Sequence, residues 1–134
     1  MSNRFQYLLV VYLAATSRGE PISPGYVAEK LDRSPAATTE MLQRLESEGL
    51  LTYEPYEGVT LTAEGRAGGE EYYEQYAIFR AFFRDILEVD DSEREAMELV
   101  GSVSPLVTDR LVETVLEGDR DDILNNSKQT VNYL

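Results

Sequence analysis

Apolar residues are spaced differently in successive stretches of the chain, and each spacing predicts an element. From Arg4 to Thr16 the sequence RFQYLLVVYLAAT is apolar on almost every side of a helical wheel, which predicts a first helix buried all round. Arg18-Gly19-Glu20-Pro21 then reads as a turn. Val27, Ala28 and Leu31 fall on one helical face, and Met41, Leu42 and Leu45 repeat the pattern one helix later. Both helices open in the same way, with Ser23-Pro24 and Ser34-Pro35. The serine oxygen accepts from a free N–H of the first turn, and proline sits at N1, where its missing N–H costs nothing. Asp32-Arg33 makes the turn between them. Ser47-Glu48-Gly49 ends the second helix, with Gly49 supplying the permissive conformation of a C-terminal cap. Leu50 to Glu54 and Val59 to Thr62 are short apolar, aromatic and threonine-bearing runs around Pro55-Tyr56-Glu57-Gly58, which predicts a β-hairpin.

Past the hairpin, Thr62 can cap a helix from Ala63, with Glu64 favoured in its first turn by the helix dipole. That helix is expected to run through Tyr72, Tyr73, Tyr76, Phe79, Phe82 and Phe83 to Glu88. Gly68-Gly69 weakens it by roughly 1 kcal/mol per glycine relative to alanine, so a kink or a close helix contact is expected there. The aromatic segment fits a cofactor pocket or, more commonly for such composition, a core and subunit interface. Asp90 as cap with Glu93 at N3 predicts a helix to Val100, and Ser104-Pro105 opens a last one over Leu106 to Glu117. The expected class is mainly α with a small β-hairpin, divided into residues 1–65, a helical unit 66–118 and a polar tail 119–134.

Two amphipathic helices alone fit a generic bundle. Here the second carries Ala36, Ala37, Thr38 and Thr39 on its N-terminal half, small and hydroxylated where a recognition helix must approach base edges closely. A hairpin follows in the position of a wing. The pattern is that of a winged helix-turn-helix, and double-stranded DNA is the expected partner. Ser34, Ala36, Ala37, Thr38, Thr39 and Glu40 would lie at the major groove, with Glu40 either accepting from a cytosine amino group or simply solvated. Lys30, Arg33 and Arg44 are the candidate phosphate contacts, supported from the wing by Tyr53, Tyr56 and Thr60.

The stretch SPAATTEMLQRLESEGLLTYEPYEGVTLTAEGR resembles the winged-helix segment of the iron- and manganese-dependent repressor family. Ser34, Pro35, Met41, Leu45, Gly49, Leu50, Tyr53, Tyr56, Gly58, Leu61, Thr62 and Gly65 stand in the family's register. The later helices are similar to the family's dimerisation domain, and nothing resembles the SH3-like domain of longer relatives. The resemblance implies a homodimer formed through residues 66–118 and a switch by divalent metal. With so few cations a two-fold dimer on a palindromic operator is expected, and repression rather than activation, because a bound dimer occludes a promoter. Carried over position by position, the family's metal ligands fall on Gln6 and Leu9, on Tyr76 and Arg80, and on Met97, Val100 and Gly101. Two residues fewer separate Asp90 from Ser104 than in the family. Only Asp85 stands where an auxiliary carboxylate would be. Met97 is a soft thioether, poor for Mn2+, and Arg80 brings a positive charge that would pair with Asp85 or Glu74 instead. No metal or other cofactor is therefore expected at that site. Manganese or iron remains an alternative only at a different carboxylate cluster, Glu70, Glu71 and Glu74 or Asp90, Asp91 and Glu93.

Composition adjusts this picture. The 134 residues contain no Cys and no His, which excludes disulfides, thiol chemistry and the commonest general base, so an enzyme is not expected. The formal charge of -13 is unusual for a DNA binder. It is unevenly placed: residues 1–66 hold 6 Lys+Arg against 9 Asp+Glu, while 67–118 hold 4 against 13. Lysine occurs only at Lys30 and Lys128. An acidic, lysine-poor surface fits a halophilic archaeon, where molar salt shortens the screening length to about 3 Å. No apolar run has the length of a membrane span and Met1-Ser2-Asn3-Arg4-Phe5 does not read as a signal peptide, so a cytoplasmic protein is expected. The competing class is an acidic interaction module that binds a protein rather than DNA; an acidic face around Arg33, Thr38, Thr39 and Arg44 would favour it.

Overall fold

The computed structural model describes residues 4–116 together with Asp121, Ile123 and Leu124. The chain runs α1 (Arg4–Arg18), α2 (Pro24–Leu31), α3 (Pro35–Ser47), β1 (Leu51–Glu54), β2 (Gly58–Leu61), α4 (Ala63–Ala81), a π-helical turn (Phe82–Ile86), α5 (Ser92–Leu99) and α6 (Pro105–Thr114). The described residues form two compact units that divide between Glu71 and Tyr72, inside α4.

In the first unit α1 packs on α2, α3 and β2, and α3 packs on α2 and β1. Leu8, Val10, Val11 and Leu13 of α1, Val27 and Leu31 of α2, and Leu42 and Leu45 of α3 are buried with Leu51 and Val59 of the hairpin. Both serine caps form as the sequence predicts: Ser23 Oγ accepts from the Tyr26 N–H and Ser34 Oγ from the Ala37 N–H, each at 3.1 Å. Gly49 takes a φ of 81° just past α3. β1 and β2 pair antiparallel with Leu51 opposite Leu61 and Glu54 opposite Gly58. Ile22 adds a bridge to Val59, exchanging two 2.9 Å hydrogen bonds with it.

Close approach of neighbouring segments explains three of the glycines. A Cβ on Gly65 would lie 1.9 Å from the Leu50 carbonyl oxygen, so the first turn of α4 sits directly on the start of β1. A Cβ on Gly69 would lie 2.6 Å from Cβ of Tyr12, and one on Gly68 3.2 Å from Leu8. The expected close helix contact at the glycine pair is thus between α4 and α1. Thr62 caps α4, its Oγ1 accepting from the Gly65 N–H at 3.0 Å and donating to the Gly49 carbonyl at 2.6 Å.

In the second unit α4 is buried on nearly all sides from Tyr73 to Ala81. Tyr73, Tyr76 and Phe79 lie inside, as a core reading requires, and Tyr73 meets Tyr76 edge to face at 6.5 Å. The α-helix stops at Ala81 rather than Glu88. The Leu87 N–H reaches five residues back to the Phe82 carbonyl, and this widened turn leaves both Phe82 and Phe83 partly covered, with rings 5.6 Å apart. Helix α5 begins one residue later than expected, with Asp91 at the N-cap and no side-chain cap bond. A ψ of 57° at Asp91 lies outside the extended geometry from which a cap side chain folds back. Ser104 likewise makes no side-chain cap bond, although Pro105 does open α6, and α6 ends at Thr114, short of Glu117. Glu117 and most of the tail expected at 119–134 lie outside the described residues.

Candidate nucleic-acid interface

Helix α3 has the inner and outer faces that recognition requires. Leu42 and Leu45 point inward, and Thr38, four residues before Leu42, falls on the same stripe and is 0% exposed. The expected groove contact at Thr38 is therefore corrected: it is a core residue, with an Oγ1 that has no hydrogen-bond partner. Ser34, Ala36, Ala37, Thr39, Glu40 and Arg44 are exposed, and so is Arg33 in the preceding turn. Among the exposed residues from Arg33 to Arg44 there are two cations and one carboxylate, a local excess of positive charge on a strongly acidic chain. The face is not acidic throughout. Lys30 is half-buried, its ammonium 5.6 Å from the Tyr26 ring, and Arg18 stacks on the same ring at 4.0 Å.

The wing divides its aromatics. Tyr53 is half-buried with an enclosed, unpartnered hydroxyl, so the expected support from Tyr53 to a phosphate is corrected to a packing role. Burial pushes this phenol above its ordinary pKa, and the Glu46 carboxylate adds to the shift. Thr60 is half-buried and its hydroxyl is turned towards Glu54 at 3.5 Å. Tyr56 is the opposite case, 108% exposed at the wing tip. It occupies the third position of the turn Glu54-Pro55-Tyr56-Glu57 at a φ of 64°, and the Glu57 N–H closes the turn on the Glu54 carbonyl at 3.0 Å. That turn geometry ordinarily calls for glycine or asparagine at this place.

Several residues that hold the interface together carry no motif. Glu20 is the main one: one carboxylate oxygen accepts from the Leu61 N–H at 2.5 Å, and the other from Arg66 at 2.6 Å. It ties the turn before α2 to β2 and to α4. Glu46 of α3 accepts from the Tyr53 N–H at 2.9 Å, fixing the wing's first strand to the recognition helix. Arg4 pairs with Glu48 at 2.8 Å. Such contacts span sequence separations that no periodicity reveals, and a glutamate in an acidic chain stands out only when its partner is seen.

The positions carried over as metal ligands are described unit by unit. In the first unit Gln6 and Leu9 are buried on α1 and carry no charge. In the second, Tyr76, Arg80, Met97 and Val100 are buried, and the Gly101 N–H donates to Gln75 Oε1 at 3.0 Å. Asp85 lies exposed in the π-helical turn, where Arg84 donates to both of its oxygens at 2.8 and 3.2 Å. These bonds hold the Asp85 carboxyl below its usual range against the opposing effect of burial, and the charges of Arg84 and Arg80 add to the shift. The expected pairing of Asp85 with Arg80 is thus corrected: its hydrogen bonds go to Arg84, its chain neighbour. Among the described residues no three carboxylates gather into a group able to hold a metal ion, so the clusters at Glu70–Glu74 and Asp90–Glu93 do not converge.

A buried three-helix core, a recognition helix and a wing define a winged helix-turn-helix transcription regulator. Residues 1–59 match the iron-dependent repressor family, N-terminal DNA-binding domain. The chain is 30% identical over 107 residues to an uncharacterised HTH-type transcriptional regulator of Methanocaldococcus jannaschii, covering 78% of this chain and 86% of that one. It is 37% identical over 60 residues to the HTH-type transcriptional regulator MntR of Lysinibacillus sphaericus, covering 45% of this chain and 43% of MntR. The fold superposes on the manganese regulator SloR with a TM-score of 0.76 at 28% identity, covering 88% of this chain and 55% of SloR. The chain therefore belongs to the iron-dependent repressor family, and it is a DNA-binding transcriptional regulator, not an enzyme. It spans about half the length of SloR and of MntR. No described helix is long and apolar enough to cross a membrane.

The metal that the family name implies does not fit the residues present. Mn2+ and Fe2+ favour carboxylate and imidazole donors. The positions in question offer one neutral amide, two aliphatic side chains, a glycine, a phenol, a thioether, a guanidinium and one carboxylate, Asp85, which is bound to Arg84. Two unit positive charges 4 Å apart repel by about 4 kcal/mol at an effective dielectric of 20, and a divalent ion beside Arg80 roughly doubles that.

Proposed function

We propose that the protein is a homodimeric repressor that binds a palindromic operator in the cytoplasm and is not switched through the family's metal site. The exposed face of α3 carries this reading: small residues at Ala36 and Ala37, a hydroxyl at Thr39, and Arg33 and Arg44 flanking them. Small side chains let the helix backbone approach thymine methyl groups, while the two guanidinium groups position it on phosphate. So few cations give each subunit modest affinity, which a two-fold dimer on half-sites one helical turn apart would raise.

The second unit supports the dimer. In α6 only Thr108 is buried, whereas Leu106 is 60% exposed and Val107 is also exposed, as is Val115 just past the helix; Ile86 and Leu87 add apolar surface in the turn after α4. A second copy of the same surface is the natural cover for such residues. The test is fluorescence anisotropy with the gene's own upstream DNA in molar KCl, alongside sedimentation to read the oligomer. Tight binding to an inverted repeat by a dimer is the expected result. Binding by a monomer, or equal affinity for scrambled DNA, would overturn the reading.

A further inference from the structure

We infer that Arg80 is a fixed internal cation in the place of an exchangeable divalent one, so that DNA binding by this chain is not gated by manganese or iron. The inference rests on the regulator reading above and deepens it. Arg80 is 2% exposed in the last turn of α4, one turn beyond Tyr76, with its guanidinium 5.9 Å from the centroid of that ring. A guanidinium is planar, delocalised and more weakly hydrated than an ammonium, which suits it to burial. Its setting suits a cation: an aromatic ring lies within range, and the last turn of a helix favours positive charge.

The surroundings in the second unit are adapted to that charge and not to a metal. Met97 and Val100, both buried, present a thioether and an aliphatic side chain. Gly101 offers an N–H donor to Gln75, where a ligand would need a lone pair. The nearest carboxylate in sequence, Asp85, has both oxygens engaged by Arg84. Within the second unit, a divalent ion beside Arg80 would thus meet a guanidinium, and Met97, Val100 and Gly101 offer it no carboxylate.

The test uses the full chain in molar KCl, with the wild type, Arg80→Met and Arg80→Lys. Equilibrium dialysis against MnCl2 with elemental analysis reads metal occupancy without any DNA. Thermal melting reads whether Mn2+ stabilises the fold, and anisotropy with chelator or Mn2+ reads the coupling to DNA. The wild type is expected to retain only substoichiometric Mn2+, to melt at the same temperature with and without it, and to bind DNA with affinity unchanged within about twofold. Arg80→Met, if it folds by circular dichroism, is expected to lose roughly tenfold or more in DNA affinity, the ordinary size of an allosteric coupling. Arg80→Lys, which keeps the charge, is expected to bind DNA without metal. One equivalent of Mn2+ retained by the wild type with a raised melting temperature overturns the inference. So does an Arg80→Met protein that binds DNA as tightly as the wild type, or an Arg80→Lys protein that requires Mn2+. A wild type that binds no DNA under any condition refutes the regulator reading instead, and the occupancy and melting arms still decide whether the site excludes metal.

Discussion

Gly65→Ala separates two arguments that predict opposite signs. Gly65 lies in the first turn of an α-helix, and helix propensity alone makes alanine better there by about 1 kcal/mol. Packing says otherwise. The added Cβ would lie 1.9 Å from the Leu50 oxygen and 2.9 Å from its carbonyl carbon, so the contact must open by more than 1 Å. Both atoms are backbone, and no rotamer change can relieve them. The same Leu50 carbonyl accepts from the Thr62 N–H at 3.1 Å, and Thr62 in turn holds Gly49 and Gly65. Forcing the segments apart therefore strains the join of α3, both strands and α4 at once. Overpacking of this kind costs about 1–3 kcal/mol, and weakening one hydrogen bond adds about 1 kcal/mol. After the propensity gain, a net loss of roughly 1–3 kcal/mol is expected, together with weaker DNA binding because the wing root moves. Urea unfolding at fixed KCl concentration measures it. Gly25→Ala in α2 is the control, because a Cβ there meets nothing within 4 Å and only the propensity term remains. Equal, stabilising effects at both glycines would refute the packing argument.

Four further substitutions test the inward and outward assignments. Thr38→Val removes a buried hydroxyl that has no partner, so it should stabilise by about 1 kcal/mol in urea unfolding and leave DNA affinity unchanged, whereas Thr39→Val should weaken binding. Tyr53→Phe should likewise stabilise by about 1 kcal/mol, since its hydroxyl is enclosed and unpartnered. It should also change the alkaline limb of the stability profile. The Tyr53 pKa is raised in the fold, so its contribution is whole below the ordinary phenol value and is lost as pH rises through the higher folded value; the phenylalanine variant lacks that loss. Tyr56→Asn relieves a left-handed conformation at a fully exposed site and should raise stability by about 1 kcal/mol, with no packing to lose. A simultaneous fall in DNA affinity, read by anisotropy, would give the strained tyrosine its reason.

The parts of this structure legible in the sequence are those set by short-range rules. Ser-Pro starts, a glycine after α3 and a proline-bearing turn between two strands are local chemistry, and each formed where the spacing placed it. The same rules misled where burial outranked them. Small and hydroxylated residues at 36–39 fit a groove-facing surface, yet α-helical spacing puts Thr38 on the stripe of Leu42 and Leu45. The period read for those two leucines already contained that answer. Asp90 fits the cap rules by residue type, but the cap falls on Asp91, whose backbone is not extended; Ser104 is extended and still makes no side-chain cap bond, which nothing in the structure explains. At the metal positions the sequence offers chemical type alone. Each departure there is a change of chemical type, carboxylate or imidazole to aliphatic, phenol or guanidinium, and such changes need no coordinates to recognise. What coordinates add is burial. An arginine on a surface helix would be a solvated charge of no consequence, whereas Arg80 is a buried cation that the surrounding residues must accommodate.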